Sequence, residues 1–266
     1  MSDILERLYA AKRAALPAEE AAHSYEELAA RGDARRGERR PFAEALRRSE
    51  GPAVIAEIKR ASPSVGLIAR NFDASVIAAN YELAGVDAIS VLTEADHFLG
   101  DLAYLDVARK YSTKPILRKD FLSTRYHVAQ AAAFGADAIL LIVAGLDDAT
   151  LAELSREAAR FDLDTLFEVH DERELVRALA HAPSVVGINN RDLRTFETDL
   201  GVTQHLLPSV PVGTLVISES GVHEPGDIAD LHAAGARGFL IGEALMRCED
   251  PGAFVGELKK AAVAGA

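Results

Sequence analysis

The stretch from Val54 to Gly66 reads VIAEIKRASPSVG and begins as an apolar run typical of a buried strand. Glu57 and Lys59 stand two residues apart at the end of that run. Because side chains i and i+2 of a strand share a face, we expect the two charges to project together. A turn-forming cluster follows from Ser62 to Gly66, with hydroxyl and N–H groups available. Taken alone, the charged pair is either a structural ion pair or part of a site.

A repeating pattern follows this stretch through the rest of the chain. Short apolar runs alternate with alanine-rich segments, and Gly85, Gly135 and Gly235 stand where a helix would end before the next strand. Runs such as AILLIV lack polar alternation, as expected of parallel strands covered on both faces. Strands are predicted at residues 53–59, 87–92, 115–119, 137–143, 164–168, 185–189, 214–219 and 238–242. Helices are predicted near residues 75–84, 102–110, 124–134, 147–161, 172–180, 203–207, 225–234 and 252–263.

The size of these units distinguishes between two architectures. Eight units over residues 53–266, roughly 27 residues each, fit a (β/α)8 TIM barrel. A doubly wound open sheet usually carries a Gly-rich phosphate loop after its first strand, and the sequence from Ser62 to Gly66 is not GxGxxG. The sequence therefore predicts an α/β fold, with a (β/α)8 barrel at residues 51–266.

Residues 1–50 read differently, as an N-terminal helical extension. A first amphipathic helix is expected to be interrupted at Leu16-Pro17, and a second short helix is predicted from Ser24 to Leu28. A charge-rich link at residues 33–40 leads to a third helical segment at residues 41–48. We expect the extension to pack on the barrel by its apolar stripe, and a separate partner-binding module is the alternative. The stripe is formed by Ile4, Leu5, Leu8, Tyr9, Ala11 and Ala15.

Charge and cysteine content exclude several classes of protein. A net charge of −12 and a pI near 5.2 argue against a general binder of nucleic acid or of anionic membranes. The single cysteine, Cys248, cannot form an intrachain disulfide and fits a reducing cytoplasm. The most apolar stretch, residues 136–146, is far shorter than the roughly 20 residues that span a bilayer. The start Met1-Ser2-Asp3 shows no signal-peptide pattern, so a cytoplasmic location is expected.

Polar residues end five of the eight predicted strands. In a (β/α)8 barrel these carboxyl ends meet at one face, where the chemistry of this fold takes place. We therefore predict a catalytic cluster there, in which Glu57 or Glu219 could instead hold a lysine in place. Neighbouring lysines against apolar walls are expected to have lowered pKa values, which suits proton donation. The residues are Glu57, Lys59, Lys119, Glu168, Asn189 and Glu219.

The histidines are not part of the predicted site, whereas the turns after the last two strands add a predicted phosphate site to it. His170 follows the fifth strand and is interpreted as a loop residue; the absence of HxH and HExxH patterns argues against a catalytic metal. Ser220-Gly221 and Gly242-Glu243 follow strands seven and eight, where this fold commonly binds phosphate through backbone N–H groups. The alternative is that these glycines only make tight turns. If Glu243 serves phosphate with its N–H, its side chain must turn away.

Seven motifs together resemble one enzyme family. EIKRASPSVG, LTEADHFLGD, LRKDF, FEVHD, GINNRDL, SESGV and FLIGEALM occur in this order between Val54 and Arg247 and are similar to indole-3-glycerol-phosphate synthases of tryptophan biosynthesis. The resemblance implies a carboxy-lyase that closes the ring of 1-(2-carboxyphenylamino)-1-deoxyribulose 5-phosphate, with loss of carbon dioxide and water. It also implies no metal and no organic cofactor, and an N-terminal extension over the substrate mouth.

The resemblance also implies roles for individual residues. Lys119 would be the general acid and Glu168 would handle the proton of the dehydration, with Lys59 as a possible participant. Glu57, Asn189 and Glu219 would orient these groups. Ser62 and Arg191 would help to hold the substrate carboxylate and loops, and the anthranilate ring would lie against Phe98, Phe121, Leu141 and Leu193. Phosphate would bind at Ser220, Gly221, Leu240, Gly242 and Glu243.

The sequence differs from the family's usual pattern at two places, and two kinds of alternative function compete with this interpretation. Val65 stands where many bacterial members have lysine, and the loop His97–Asp101 replaces a more usual aromatic-rich, Gly-Ser loop, so loop closure or rate is in question.

Phosphoribosylanthranilate isomerase would need Cys and Asp at strand ends one and six, and the imidazole-glycerol-phosphate cyclase would need aspartates at one and five. A non-catalytic phosphosugar-binding barrel would lack Lys119 or Glu168. We expect a small phosphorylated substrate, no nucleic-acid or membrane partner, and a monomer or weak homodimer.

Overall fold

A closed barrel of eight parallel strands forms the centre of the computed structural model, which describes residues 3–261. Each strand pairs with its neighbours in the chain, and the first strand closes the barrel against the last. The predicted (β/α)8 barrel with an N-terminal helical extension is confirmed. The strands are β1 (Ala53–Ile58), β2 (Ala88–Leu92), β3 (Ile116–Lys119), β4 (Ala138–Ile142), β5 (Asp164–Val169), β6 (Val185–Asn189), β7 (Leu215–Glu219) and β8 (Gly238–Ile241).

Helices surround this barrel and precede it. The predicted helix at 252–263 corresponds to α12, and its last two residues lie outside the described part of the chain, as do Met1 and Ser2. None of the described helices has the length and apolarity needed to cross a membrane. The helices are α1 (Asp3–Ala22), α2 (Tyr25–Ala34), α3 (Phe42–Arg47), α4 (Ala74–Ala84), α5 (Ala103–Tyr111), α6 (Arg125–Ala133), α7 (Asp148–Arg160), α8 (Glu172–Leu179), α9 (Gly201–Leu206), α10 (Pro225–Ala234), α11 (Glu243–Arg247) and α12 (Pro251–Ala261).

The pairing register brings the polar strand ends to one level. Leu92 lies beside Lys119, Ile142 beside Glu168, and Asn189 beside Glu219. Adjacent parallel strands therefore present their last side chains at the same end of the barrel. A short hairpin, Ala61–Ser62 against Gly66–Leu67, follows β1 at this end and was not predicted as strand.

The opposite end of the barrel is closed by helix ends and aspartates. Gly85 and Gly135 have φ values of 72° and 85°, a left-handed conformation that costs glycine little, and they end α4 and α6. Two residues later in each case an aspartate accepts an N–H near the start of a neighbouring strand. Asp87 binds the Val54 N–H at 2.7 Å, and Asp137 binds the Ile116 N–H at 2.9 Å.

Helix α1 lies over the end of the barrel that carries the polar strand ends. Its Leu5, Leu8 and Tyr9 are buried, as the apolar stripe predicts. Lys12 is 3.1 Å from buried Asp120, which follows β3. The predicted interruption at Pro17 is wrong, because α1 continues through it to Ala22. Proline removes one helical hydrogen bond, but contacts with the barrel on both sides of Pro17, including Glu19 to Gln130 at 3.5 Å, hold the helix.

The charge-rich link binds the opposite end of the barrel. Arg39 donates to four backbone carbonyls, those of Gly32, Ala132, Ala136 and Phe161, at 3.1–3.3 Å. Arg40 donates to the carbonyls of Ser112 and Lys114 at 2.8 Å. These carbonyls belong to helix ends and turns, where the helix itself leaves carbonyl groups unpaired or only partly paired. The link therefore contributes to stability, while α1 contributes to the face that holds the polar cluster.

Candidate active site

A cavity at the carboxyl end of the barrel is lined by side chains from all eight strands, and α1 covers part of it with Ile4, Leu5 and Leu8. The strand ends and the loops that follow them supply most of the polar groups. All but one of the site residues predicted from sequence line this cavity. They are Glu57, Lys59, Ser62, Phe98, Lys119, Phe121, Glu168, Asn189, Arg191, Leu193, Glu219, Ser220, Gly221, Leu240, Gly242 and Glu243.

Leu141 is the exception, and its prediction as part of the apolar wall is wrong. Its neighbours on β4, Leu140 and Ile142, line the cavity. Successive side chains of a strand point to opposite faces, so Leu141 faces away from the barrel interior. It is fully buried there, in the layer between the strands and the helices.

Lys119 is the centre of the polar cluster. Its Nζ lies 2.7 Å from Glu219 Oε2 and 3.2 Å from Glu168 Oε2. Burial alone would lower the pKa of Lys119, but the charges of Glu219, Glu168 and Glu57 outweigh burial and raise it. The expected lowering of the lysine pKa is therefore wrong for Lys119, because carboxylates rather than a second lysine surround its ammonium group.

The two carboxylates that share Lys119 have different environments. Burial would raise the pKa of Glu168, but Lys119, His170 and a hydrogen bond from Asn189 together lower it. Burial raises the pKa of Glu219 to about 7; Lys119 opposes this rise and the charge of Glu168 adds to it. Glu219 Oε1 is buried and has no hydrogen-bond partner among the described residues. Near neutral pH the pair therefore favours an ionised Glu168 and a partly protonated Glu219.

Gly187 on β6 provides the space that Glu219 occupies. A Cβ atom at position 187 would overlap Glu219 Oε1 and lie 2.6 Å from Leu166 Cδ2. Gly187 is itself the register partner of Glu168. Only a residue without a side chain leaves the Glu219 carboxylate in place beside Lys119.

A glycine likewise leaves space for the Glu57–Lys59 pair on the other side of the cavity. Lys59 Nζ is 2.7 Å from Glu57 Oε1. A Cβ atom at Gly242 would overlap Glu57 Oε1 and lie 2.8 Å from Lys59 Nζ. Gly242 thus leaves room for this pair, in addition to lying in the predicted phosphate loop.

An aromatic wall faces these charges. The ring centroids of Phe98 and Phe121 are 6.2 Å apart, and that of Tyr9 is 5.7 Å from Phe121 in an edge-on arrangement. The Glu94 carboxylate accepts the N–H groups of His97 and Phe98 at 2.8 and 3.0 Å and so orders the loop at residues 97–101. The wall suits a planar aromatic group next to ionised ones.

The turn after β7 lines the cavity with Ser220 and Gly221. Ser220 and Gly221 both have positive φ values, 64° and 87°, and successive residues of this kind form a concave surface that suits anions. The buried side chain of Asn190 donates to the carbonyls of Glu219 and Ser220 at 3.0 Å and fixes the turn. After β8, the Glu243 carboxylate is 3.0 Å from Arg247 Nε, which leaves the Glu243 N–H separate from its side chain.

Comparison with known proteins identifies the family. The sequence model described as "Indole-3-glycerol phosphate synthase" matches residues 5–258. A protein of that name from Burkholderia vietnamiensis is 44% identical over 256 residues, which cover 95% of this chain and 97% of the relative. The chain belongs to the indole-3-glycerol phosphate synthase family. Another relative of that name, from Sulfurimonas denitrificans, is 46% identical over 206 residues, 77% of this chain and 78% of its own.

More distant solved structures share the fold of this synthase-family chain. 3-Hexulose-6-phosphate synthase from Salmonella typhimurium superposes with a TM-score of 0.64 at 14% identity, over 80% of this chain and 100% of its own. Thiamine phosphate pyrophosphorylase from Pyrococcus furiosus gives 0.61 at 16% identity, over 84% and 98%. At this identity the likeness shows the barrel alone.

Two groups around the synthase-family site were missed by reading the sequence. Buried Asp120 accepts hydrogen bonds from Thr93 at 2.7 Å and from Arg118 at 2.8 Å, in addition to Lys12 of α1. His170, interpreted as a loop residue, does follow β5, but its Nε2 lies 3.4 Å from Glu168 Oε1. Its position two residues after Glu168 was a usable signal, since i and i+2 share a face. Residues 3–261 contain no group of three or more His, Cys, Asp or Glu side chains placed to hold a metal ion.

Proposed function

We propose that this chain catalyses the indole-3-glycerol-phosphate synthase reaction in its barrel cavity. The substrate would be 1-(2-carboxyphenylamino)-1-deoxyribulose 5-phosphate. A bond forms between the ring carbon that bears the carboxylate and the carbonyl carbon of the sugar. Carbon dioxide and water then leave, and the product is indole-3-glycerol phosphate.

One observation carries the assignment of roles: a single ammonium group, Lys119 Nζ, lies within 3.2 Å of two buried carboxylates next to an aromatic wall. In the ring closure, negative charge develops on the sugar carbonyl oxygen. Lys119 holds a proton at neutral pH, as its raised pKa requires, and donates it to that oxygen. The anthranilate ring would pack against Phe98, Phe121 and Leu193, with Leu140 in place of Leu141.

Glu168 is the proposed acceptor of the proton that the substrate loses in the dehydration, and Lys59 is the proposed donor to the hydroxyl group that leaves as water. A lowered pKa keeps it ionised, which the acceptor role needs. Glu57, Asn189 and Glu219 orient the reacting groups, and Lys59 adds a second ammonium to the cavity. Ser62 and Arg191 would help to hold the substrate carboxylate.

The phosphate would bind between the turns after β7 and β8. There the N–H groups of Ser220, Gly221, Gly242 and Glu243 are proposed as donors, with Leu240 alongside. The proposed partner is this small molecule alone, for a chain that acts as a monomer or weak homodimer in the cytoplasm. Sedimentation of the purified protein at several concentrations tests the oligomeric state.

The experiment that tests the proposal is turnover of the synthetic substrate. The indole product is fluorescent, and one carbon dioxide should be released for each indole formed. Folded protein that binds the substrate but yields neither product would contradict the proposal and support a non-catalytic phosphosugar-binding barrel.

A further inference from the structure

His170 lies between two carboxylates at the edge of the site. Its Nε2 is 3.4 Å from Glu168 Oε1, and its Nδ1 is 3.0 Å from Glu174 Oε2. The backbone N–H of His170 donates to the same Glu174 oxygen at 2.8 Å. Glu174 stands in the first turn of α8, where the capping residue Asp171 accepts its N–H. The imidazole is therefore fixed from the helix side and directed at Glu168.

The two contacts together determine the charge of the ring. A carboxylate only accepts hydrogen bonds, so Nδ1 must carry a proton to bind Glu174. In a neutral ring Nε2 would then be bare and would face the Glu168 carboxylate without a proton between them. A charged imidazolium donates a hydrogen bond to Glu174 and presents its positive charge to Glu168. Nε2 is buried and has no hydrogen-bond partner among residues 3–261, so its interaction with Glu168 Oε1, 3.4 Å away, is one of charge.

Glu168 thus has a different neighbour at each oxygen. Oε2 is 3.2 Å from Lys119, and Oε1 faces His170. Such a division fixes the plane of the carboxylate, because each oxygen is attracted in its own direction. An unsupported carboxylate could rotate about its terminal bond.

We propose that His170 is a positioning residue for Glu168: held by Glu174, its charged ring orients the Glu168 carboxylate and keeps it in the proton-accepting form. The inference deepens the proposed function and rests on it, since Glu168 is the proposed proton acceptor there. His170 does not line the cavity and acts only through Glu168.

The carboxylates around His170 favour its charged form against the effect of burial. Burial would lower the pKa of His170, but Glu174, Glu168 and Glu219 raise it. Glu174 approaches from α8, Glu168 from β5 and Glu219 from β7. Lys119, from β3, faces Glu168 on its other oxygen.

Kinetics of His170→Gln and Glu174→Gln test the role. Loss of the imidazolium should make Glu168 easier to protonate, so the acid limb of the kcat–pH profile should move to higher pH by about half a unit or more. At pH 7, kcat should fall about tenfold, with KM within about twofold, because the affected interaction matters in the transition state. Glu174→Gln should shift the limb in the same direction by less. His205→Gln is the control and should behave as wild type. It breaks an exposed 3.1 Å pair between α9 and Glu172, which lies on α8 as Glu174 does.

A titration by nitrogen-15 NMR gives a readout that does not depend on turnover. The His170 ring should stay doubly protonated to a pH above that of an ordinary histidine in wild type, and to a lower pH in Glu174→Gln. Wild-type kcat and acid limb in folded His170→Gln, or a His170 ring that is neutral at pH 6, would overturn the inference. Wild-type protein that makes no indole, with a His170 ring that titrates as described, would instead overturn the proposed function.

Discussion

Gly187→Ala is the substitution that most sharply tests the packing of the site. The added Cβ would overlap Glu219 Oε1, lie 2.6 Å from Leu166 Cδ2 and lie 3.2 Å from Glu219 Cδ. Carbon atoms in contact normally stand about 3.5–4 Å apart, so Leu166 and the Glu219 carboxylate must each move by about 1 Å. Glu219 Oε2 is already 2.7 Å from Lys119, so its carboxylate cannot move without displacing Lys119 or losing that contact.

The size of the effect follows from this displacement. A shift of about 1 Å in a catalytic group can cost about 100-fold in rate, and we expect kcat of Gly187→Ala to fall by that order. Overpacking a buried site costs about 1–3 kcal/mol, so the free energy of unfolding should fall by a similar amount. Indole fluorescence measures the first quantity, and urea denaturation measures the second.

Gly256→Ala is the matched control. Gly256 lies in α12, and a Cβ atom there meets no atom within 4 Å. Its kcat should equal that of wild type, and the helix should gain up to about 1 kcal/mol. If Gly187→Ala keeps kcat within about threefold of wild type, the reasoning that Glu219 must stay beside Lys119 is refuted.

Two further predictions concern stability. With its pKa raised from 4.5 to about 7, Glu219 in the folded protein binds a proton that the unfolded chain releases, so stability falls as pH rises through this window. Urea denaturation across pH should therefore show Glu219→Gln gaining about 3 kcal/mol on wild type between pH 4.5 and about 8, and parallel curves would contradict this. Arg39→Ala removes one donor from each of four carbonyls and should cost about 2–4 kcal/mol, whereas Arg36→Ala breaks only an exposed pair with Asp162 and should leave the free energy of unfolding nearly unchanged. Equal losses of unfolding free energy in the two arginine variants would refute the stabilising role of the Arg39 hydrogen bonds.

The barrel and most of the candidate site follow from two repeated patterns in the sequence. Glycines at helix ends and non-alternating apolar runs indicate the βα units, and the polar residues at the ends of five of these runs then fall at the carboxyl end of the barrel. Lys119, Glu168 and Glu219 can be placed together by this reasoning alone. Leu141 was misplaced because a one-residue error on a strand reverses the face of a side chain.

Other features depend on contacts that no local pattern contains. Pro17 normally interrupts a helix, and only the contacts of Lys12 and Glu19 with the barrel show why α1 continues. The pKa of Lys119 rises because carboxylates from three other strands converge on it, whereas a sequence shows two lysines and no distances. His170 could have been found from its spacing to Glu168, but Glu174 becomes its partner only through the first turn of α8.

Turnover of the carboxyphenylamino-deoxyribulose phosphate by wild type and Lys119→Ala tests the central claim most directly. We expect indole fluorescence with wild type, and a kcat at least about 100-fold lower when the general acid is removed. Folded Lys119→Ala with near-normal kcat would show that the proton comes from another group and would contradict the account of this site.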